Sequence, residues 1–474
     1  MSSNKKLLTT LSGLPDDVTI LDSKRIDDDI IEIFVKWDEP KVDDRNCPSC
    51  GSTWCVKKDA GRNQTLRHTP SGIFNLWLTF HVPRYKCREC GRTFNIKPWW
   101  AQLSMSISLP LFYLIYKLLV TTTMNLSDIA KRTNSTRSIV QNVMDKILLD
   151  TPGSLPSSIG IDEFHGSTGR YDKPSGKFST EKYHCVITDT DKCAVFDIVI
   201  DPRYKTLRDY FKQYHISVRK QVRFISMDMR SGFSRVAREC FPYARICIDP
   251  FHVVKLLTEA VSRVRIDEWR RHLDIYKKYL ETISDLSPQE RKDDPKRKLL
   301  EHNCSLIKNS QKVLVASPFN DSYWSTHYTA RMDKLEEIFT LSPDLMLPHE
   351  ALMDFYDVEE SSDNLRHESL NEWLKKYLGC ECPPIKQAAA SISKRKAGIE
   401  RAWKYHKSNA KTEGLNKKIK DINRAGFGMH DFDNFMKRIL LSLGYDHFIE
   451  PTYTIHRKRA EALCNKTTKG GNEK

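Results

Sequence analysis

The stretch Ser158-Ile159-Gly160-Ile161-Asp162-Glu163-Phe164-His165-Gly166 constrains this chain more than any other. Four small or apolar residues lead into an acid, which is how a buried strand reads when it ends at a site that must hold charge. The pattern recurs at Val222-Arg223-Phe224-Ile225-Ser226-Met227-Asp228-Met229, where a β-rich run again delivers an aspartate. A third acid, Glu413, lies in a stretch from Ser408 to Lys420 that reads as helix. Two strand-end aspartates and a helical glutamate are hard oxygen ligands suited to Mg²⁺. Two such ions can clamp the attacking and leaving oxygens of a phosphoryl transfer. Strand-end acids are common in α/β proteins, so the alternative is an ordinary α/β domain with acids in its loops.

A Cys-x-x-Cys followed by glycine occurs twice, at Cys47-Pro48-Ser49-Cys50-Gly51 and Cys87-Arg88-Glu89-Cys90-Gly91. The two-residue gap lets both sulfurs of a tight turn face one ion, and glycine tolerates positive φ at the knuckle. Cys47, Cys50, Cys87 and Cys90 are therefore expected to hold a structural Zn²⁺. The strand-like run Ile73 to Val82 forms a ribbon between the knuckles, with Cys55, His68 and His81 as spectators. A redox dithiol is the competing reading.

The chain has 474 residues, 13 cysteines and a formal net charge of +15. Its first residues lack the long apolar core of a signal peptide. The longest apolar run, Leu109 to Val120, is too short to span a bilayer and contains Lys117. A cytoplasmic protein with reduced cysteines and no membrane partner is the expectation. The charge points to a polyanion, nucleic acid first and an anionic membrane surface second.

Residues 108–148 read as helices, with Leu111, Leu114, Ile115, Leu118 and Leu119 on one stripe. From Asn125 to Val143, a short helix with Ala130 at its crossing, a polar turn and a second helix make a helix-turn-helix pattern. The first turns of that second helix would face base edges, so Thr136, Arg137, Gln141 and Asn142 are candidate DNA-binding residues. A plain helical hairpin is the alternative.

After a linker at Thr151–Pro156 the period changes to strands. The Asp162 strand is followed by Tyr183–Thr188 and Ala194–Ile200, with 166–182 as a long polar hairpin loop. Helix 204–215, the Asp228 strand, helix 231–240 and a strand at 244–249 running into a helix complete the order β-β-β-α-β-α-β-α. Residues 255–400 lose all strand character and read as a charged helical insertion that separates Asp228 from Glu413; Cys380 and Cys382 inside it are too few for a zinc site. The expected organisation is an N-terminal strand region (1–45, with a strand at Ile30–Trp37), a zinc-binding domain (46–100), a helix-turn-helix domain (101–150), a first core part (157–254), the insertion (255–400), a second core part with the last acid (401–450) and a basic tail (451–474). On the Glu413 helix, Lys417, Lys420 and Arg424 share one face that could hold phosphates or simply be solvated.

The double knuckle, the helix-turn-helix, Ile-Asp-Glu-Phe, Asp-Met, Ile-Asp-Pro-Phe-His-Val-Val-Lys and Glu-Gly-Leu-Asn-Lys-Lys-Ile-Lys come in an order that resembles the ISL3-family insertion-sequence transposases over nearly the whole chain. The resemblance implies a multidomain α/β protein: a zinc ribbon, a helix-turn-helix and an RNase H-like mixed-sheet core carrying an all-helical insertion. It implies a DDE transposase with Asp162, Asp228 and Glu413 as catalytic acids and ligands of Mg²⁺ or Mn²⁺. Its partners would be double-stranded transposon ends and target DNA, bound by a homo-oligomer, a dimer on DNA, in the bacterial cytoplasm at the nucleoid. The chain departs from the family at 166–182, where a short basic hairpin is usual. Glu163 should point to the opposite face from Asp162 and is read as structural. Asp249 and His252 belong to a family motif, with packing, support of the metal ligands and DNA contact all open. Two rival readings remain: a DNA-binding regulator with an inert core, and an RNase H-like nuclease without strand transfer.

Overall fold

The computed structural model describes Leu14 and residues 18–101, 105–148, 153–172, 177–319, 328–425, 431–445 and 448–449. The basic tail 451–474 and the tip 173–176 of the polar stretch lie outside these residues.

The N-terminal part is a five-stranded sheet in which β1 (Val18–Arg25), β2 (Ile30–Trp37), β4 (Asn75–Cys87) and β3 (Cys55–Arg67) lie side by side, with β5 (Thr93–Asn95) on β4. The expected strands β2 and β4 are present. β1 and β3 were not read from sequence, because both are largely exposed and carry few apolar residues to mark a buried face. Antiparallel pairing of β3 with β4 sets Cys55 opposite Cys87, so the two knuckles meet at one end of the ribbon.

Three helices follow: α1 (Leu109–Thr121), α2 (Leu126–Arg132) and α3 (Arg137–Asp145). Each has a side-chain N-cap, from Ser108, Asn125 and Thr136. Between α2 and α3 the chain turns at Asn134, whose φ of 47° is a conformation asparagine tolerates. Arg67 of the ribbon donates to Asn134 O at 3.0 Å, tying the sheet to this turn.

The second sheet has the order β11-β10-β7-β8-β9, built from β7 (Ser158–Asp172), β8 (Lys177–Asp189), β9 (Ala194–Val199), β10 (Phe224–Met227) and β11 (Arg245–Ile248). β6 (Ile147–Leu148) pairs separately with β12 (Phe448–Ile449). β7, β10 and β11 are mutually parallel, while β8 runs antiparallel to both its neighbours, β7 and β9. The described residues of the polar segment, 166–172 and 177–182, are strand and not loop. Their backbone continues the β7–β8 ladder out to Asp172 opposite Lys177, since backbone pairing needs no apolar side chains.

Ile159, Ile161, Ile187, Ile225 and Met227 bury one face of this sheet against α4 (Tyr204–Lys212), α6 (Ser231–Cys240) and the start of α7 (Pro250–Thr282); a short α5 (Ile216–Arg219) follows α4. That core runs on into a helical stretch: α8 (Pro288–Asp293), α9 (Pro295–Lys308), α10 (Gln311–Val315), α11 (Tyr328–Leu341), α12 (Met346–Glu360), α13 (Arg366–Tyr377), α14 (Pro383–Ser393) and α15 (Lys396–Lys404). The opposite face, with Phe164, Val186 and Ile198, is covered by α16 (Ala410–Ala425) and α17 (Phe432–Leu443). α17 also holds the N-terminal helices. Buried Arg438 donates to Leu119 O in the last turn of α1 at 2.5 Å, a carbonyl near the helix end, and to Thr122 O at 2.7 Å and Met124 O at 3.0 Å in the segment that follows. No helix among the described residues is long and apolar enough to cross a membrane.

Candidate active site and zinc centre

Both knuckles close in the same way. Gly51 N donates to Cys47 O at 2.9 Å and Gly91 N to Cys87 O at 3.1 Å, with the glycines at φ 76° and 73°. A side chain at either position would strain the turn. The four sulfurs of Cys47, Cys50, Cys87 and Cys90 lie within 4.8 Å of one another. Cys47–Cys90 and Cys50–Cys87 are each 3.6 Å apart. A tetrahedron with Zn–S of about 2.3 Å has edges of about 3.8 Å, so the set fits zinc. Backbone N–H groups of Cys90 and Glu89 favour the Cys87 thiolate and draw its pKa down to about 6. His68 meets Ser108 Oγ and His81 faces Asn63, while Cys55 is buried against Cys47 and Cys87 but donates to Ser52 O and is not one of the four clustered sulfurs.

The acid site follows from strand register. Ile161, Met227 and Ile248 are aligned across β7, β10 and β11. Each is the last buried residue before an aspartate: Asp162, Asp228 and Asp249. Side chains alternate along a strand, and the three aligned residues face the apolar core. The aspartates therefore project to the other face, the one that α16 covers. Ile-Gly-Ile-Asp, Ile-Ser-Met-Asp and Ile-Cys-Ile-Asp are three copies of one pattern, and the third could have marked Asp249 from sequence.

Gly160 sets how closely α16 approaches. A Cβ there would lie 2.2 Å from Thr412 Oγ1 and 2.4 Å from Thr188 Oγ1. Those hydroxyls bond to each other at 2.7 Å, pinning the helix to the sheet. One residue on, Glu413 approaches His252, with Oε1 3.3 Å from Nε2. Asp249, His252 and Glu413 each offer a ligand atom, all within 4.8 Å of one another. Glu413 thus sits nearest to Asp249 and His252, while Asp162 lies within β7, one residue past its last pair with β10, and Asp228 lies just past the end of β10. Asn416, one turn along α16, donates Nδ2 to Asp162 Oδ2 at 2.6 Å. Arg230 donates its backbone N–H to Asp228 Oδ1 at 2.8 Å and its side chain pairs with both Asp228 and Glu163. Glu163 follows Asp162 on β7, so its side chain starts from the opposite face, and it pairs with Arg230.

All four carboxyls are pushed above their usual range, and burial is the first cause in each. The charge of Asp162 adds to this at Asp228, Asp249 and Glu413, while His252 opposes it at every one. Buried acids that repel one another are a donor set that a divalent cation would stabilise.

The expected DNA-facing residues divide. Arg137 and Asn142 are exposed on α3, and Thr136 is occupied in capping it, accepting from Ile139 N at 3.3 Å. Gln141 is half-buried, and its amide donates to Asp145 at 2.8 Å and to Asn434 of α17 at 3.0 Å. Helical periodicity could not show this, because Asn434 lies 293 residues away. Lys417, Lys420 and Arg424 are exposed on α16. The charge of Lys420 reaches Asp162, and that of Lys417 reaches Glu413. Cys380 donates to Cys382 O and joins no metal cluster among the described residues.

The transposase for insertion sequence element IS1557 from Mycobacterium tuberculosis is 24% identical over 417 residues, covering 84% of this chain and 86% of that protein, in both strain CDC 1551 / Oshkosh and strain ATCC 25618 / H37Rv. Residues 43–90 match the ISL3 zinc ribbon, described as the zinc-finger of transposase IS204/IS1001/IS1096/IS1165. Residues 159–439, which hold the sheet, every acid of the site and the helices between them, match the ISL3 transposase family, and the chain belongs to that family.

Proposed function

We propose that this transposase binds the terminal inverted repeats of its element through residues 46–148 and catalyses DNA strand cleavage and strand transfer by a DDE mechanism on an RNase H-like core. The observation that carries this reading is that the aspartates following the aligned Ile161, Met227 and Ile248 lie on the face where the Glu413 helix packs. Asp162, Asp228 and Glu413 are the catalytic acids, and they would hold Mg²⁺ or Mn²⁺. Bound divalent ions there would offset charge on the scissile phosphate and polarise the attacking and leaving oxygens. Arg230 and Asn416 fix the two aspartates from either side. Lys417, Lys420 and Arg424 offer a cationic strip on which DNA phosphates can lie beside the acids.

End recognition belongs to α2 and α3, a helix-turn-helix in which Arg137 and Asn142 read bases. Thr136 serves as the cap and Gln141 as the link to α17. The zinc ribbon, joined to the turn through Arg67, steadies that pair. A dimer on DNA would pair two ends.

The test is to incubate purified protein with its flanking terminal repeats and Mg²⁺ and map the products. Cleavage at the element ends followed by joining of 3′ ends to target DNA is expected. Cleaved ends that never join would favour a nuclease, and repeat binding without cleavage would favour a regulator.

A further inference from the structure

Asp249 is 2% exposed, yet its Oδ2 has no hydrogen-bond partner. Asp249 occupies the N-cap position of α7, yet its side chain makes no capping hydrogen bond to that helix. His252, one helical turn on in α7, has a buried Nε2 that makes no hydrogen bond and lies 3.3 Å from Glu413 Oε1. A buried, unpartnered carboxylate oxygen is expensive unless something absent from the protein matrix satisfies it. Two ligands about 2.1 Å from one octahedral ion sit about 3 Å apart when adjacent and about 4.2 Å when opposite. The Asp249, His252 and Glu413 atoms lie within 4.8 Å of one another, the His252–Glu413 pair at 3.3 Å, so side-chain adjustment brings the set to that spacing.

We infer that Asp249, His252 and Glu413 together ligate one divalent cation, with His252 Nε2 as a nitrogen ligand that makes the position favour Mn²⁺ over Mg²⁺. Glu413 then belongs to the Asp249–His252 ion, and Asp162 with Asp228 to the neighbouring position one strand away. The bias follows from ligand chemistry: Mg²⁺ is held by oxygen and gives up its water reluctantly, whereas imidazole suits transition metals. This ligand set rests on the proposed function for its role, since it completes the same centre.

The test uses the full-length, zinc-containing chain and Mn²⁺ as the probe. Pulsed electron paramagnetic resonance of bound Mn²⁺ should show coupling to an imidazole nitrogen, with no variant required. His252→Gln should remove that coupling and, like Asp249→Asn, weaken one Mn²⁺ site at least tenfold. Mg²⁺ should displace Mn²⁺ from this position in wild type only at large excess, and more readily in His252→Gln. Bound Mn²⁺ without nitrogen coupling, coupling that survives in His252→Gln, or no Mn²⁺ binding at all would each overturn the assignment. Normal cleavage by Asp162→Asn or Asp228→Asn would instead sink the proposed function and leave the nitrogen signal standing.

Discussion

The two ligand clusters of this protein are built on opposite principles. The zinc centre draws four identical ligands from two local turns, each closed by its own backbone hydrogen bond and joined by one β-ribbon. The acid centre draws its residues from three neighbouring strands and two helices, spread from Asp162 to Glu413. Its members are unlike, some of their atoms lack partners, and lysines stand beside them. Four thiolates around one point leave no open position, which is the form of a structural site. Acids with oxygens left over, beside exposed cations, leave room for substrate. The difference teaches that local closure serves folding and long-range convergence serves chemistry.

The comparison breaks most visibly at zinc. Zinc sites of this kind contribute on the order of 10 kcal/mol to folding. Cys87→Ser should therefore lose the roughly one zinc per chain expected of four thiolates, unfold the ribbon and abolish repeat binding. Metal analysis with a DNA-binding assay checks both, and a variant that kept its zinc would sink the assignment. Next in size are Asp162→Asn, Asp228→Asn and Glu413→Gln. Each keeps shape and removes charge, so cleavage should fall at least about a thousandfold, roughly 4 kcal/mol of barrier. Zinc content and repeat binding should stay unchanged. Loss of binding in step with cleavage would mean that the two centres are not separable.

A smaller effect tests how α16 is seated. Gly160→Ala would drive a methyl against Thr412 and Thr188, so α16 must shift and carry Glu413 with it. Overpacking of this kind costs about 1–3 kcal/mol. Thermal stability should drop by that amount and cleavage should fall with it. Full cleavage in the variant would show that Glu413 need not be held so closely.

The same contrast explains what was legible in the sequence. The knuckles were readable because their ligands, turn glycines and spacing are local. Asp162 and Asp228 were readable because apolar runs lead into them. β3 escaped because its residues face solvent, and the extension of β7 and β8 escaped because polar backbone pairs as well as apolar backbone does. The place of Asp249 and His252 depends on the register of β10 with β11 and on the approach of a helix some 160 residues later. Nothing local encodes that meeting, although the third Ile-x-Ile-Asp copy pointed toward it. The Gln141–Asn434 bond between α3 and α17 is likewise set by tertiary packing and not by the local sequence.

The smallest predicted effect concerns Glu359, on α12 of the helical stretch. Burial raises its pKa first, the charge of Glu360 adds to that, and Arg366 opposes it. Asp249 also contributes, so the charge of the acid centre is felt on α12, and the result is a carboxyl at about 7 against an ordinary 4.5. The folded chain therefore holds a proton on Glu359 that the unfolded chain has already released between those values. The contribution of this group to stability is fully present below about 4.5 and is lost as pH rises through about 7. Glu359→Gln, which mimics the protonated form, should match wild type at pH 4.5 and exceed it at pH 8. The expected gain is about 1–2 kcal/mol, less than the full shift implies because the residue is partly exposed. Adding Asp249→Asn should narrow the gap, since one of the charges that raises Glu359 is then gone. Denaturant unfolding of the four variants across this range checks it. A gap that does not change with pH would show that Glu359 titrates as an ordinary surface acid. A gap that changes with pH but ignores Asp249→Asn would show that α12 is electrostatically separate from the acid centre.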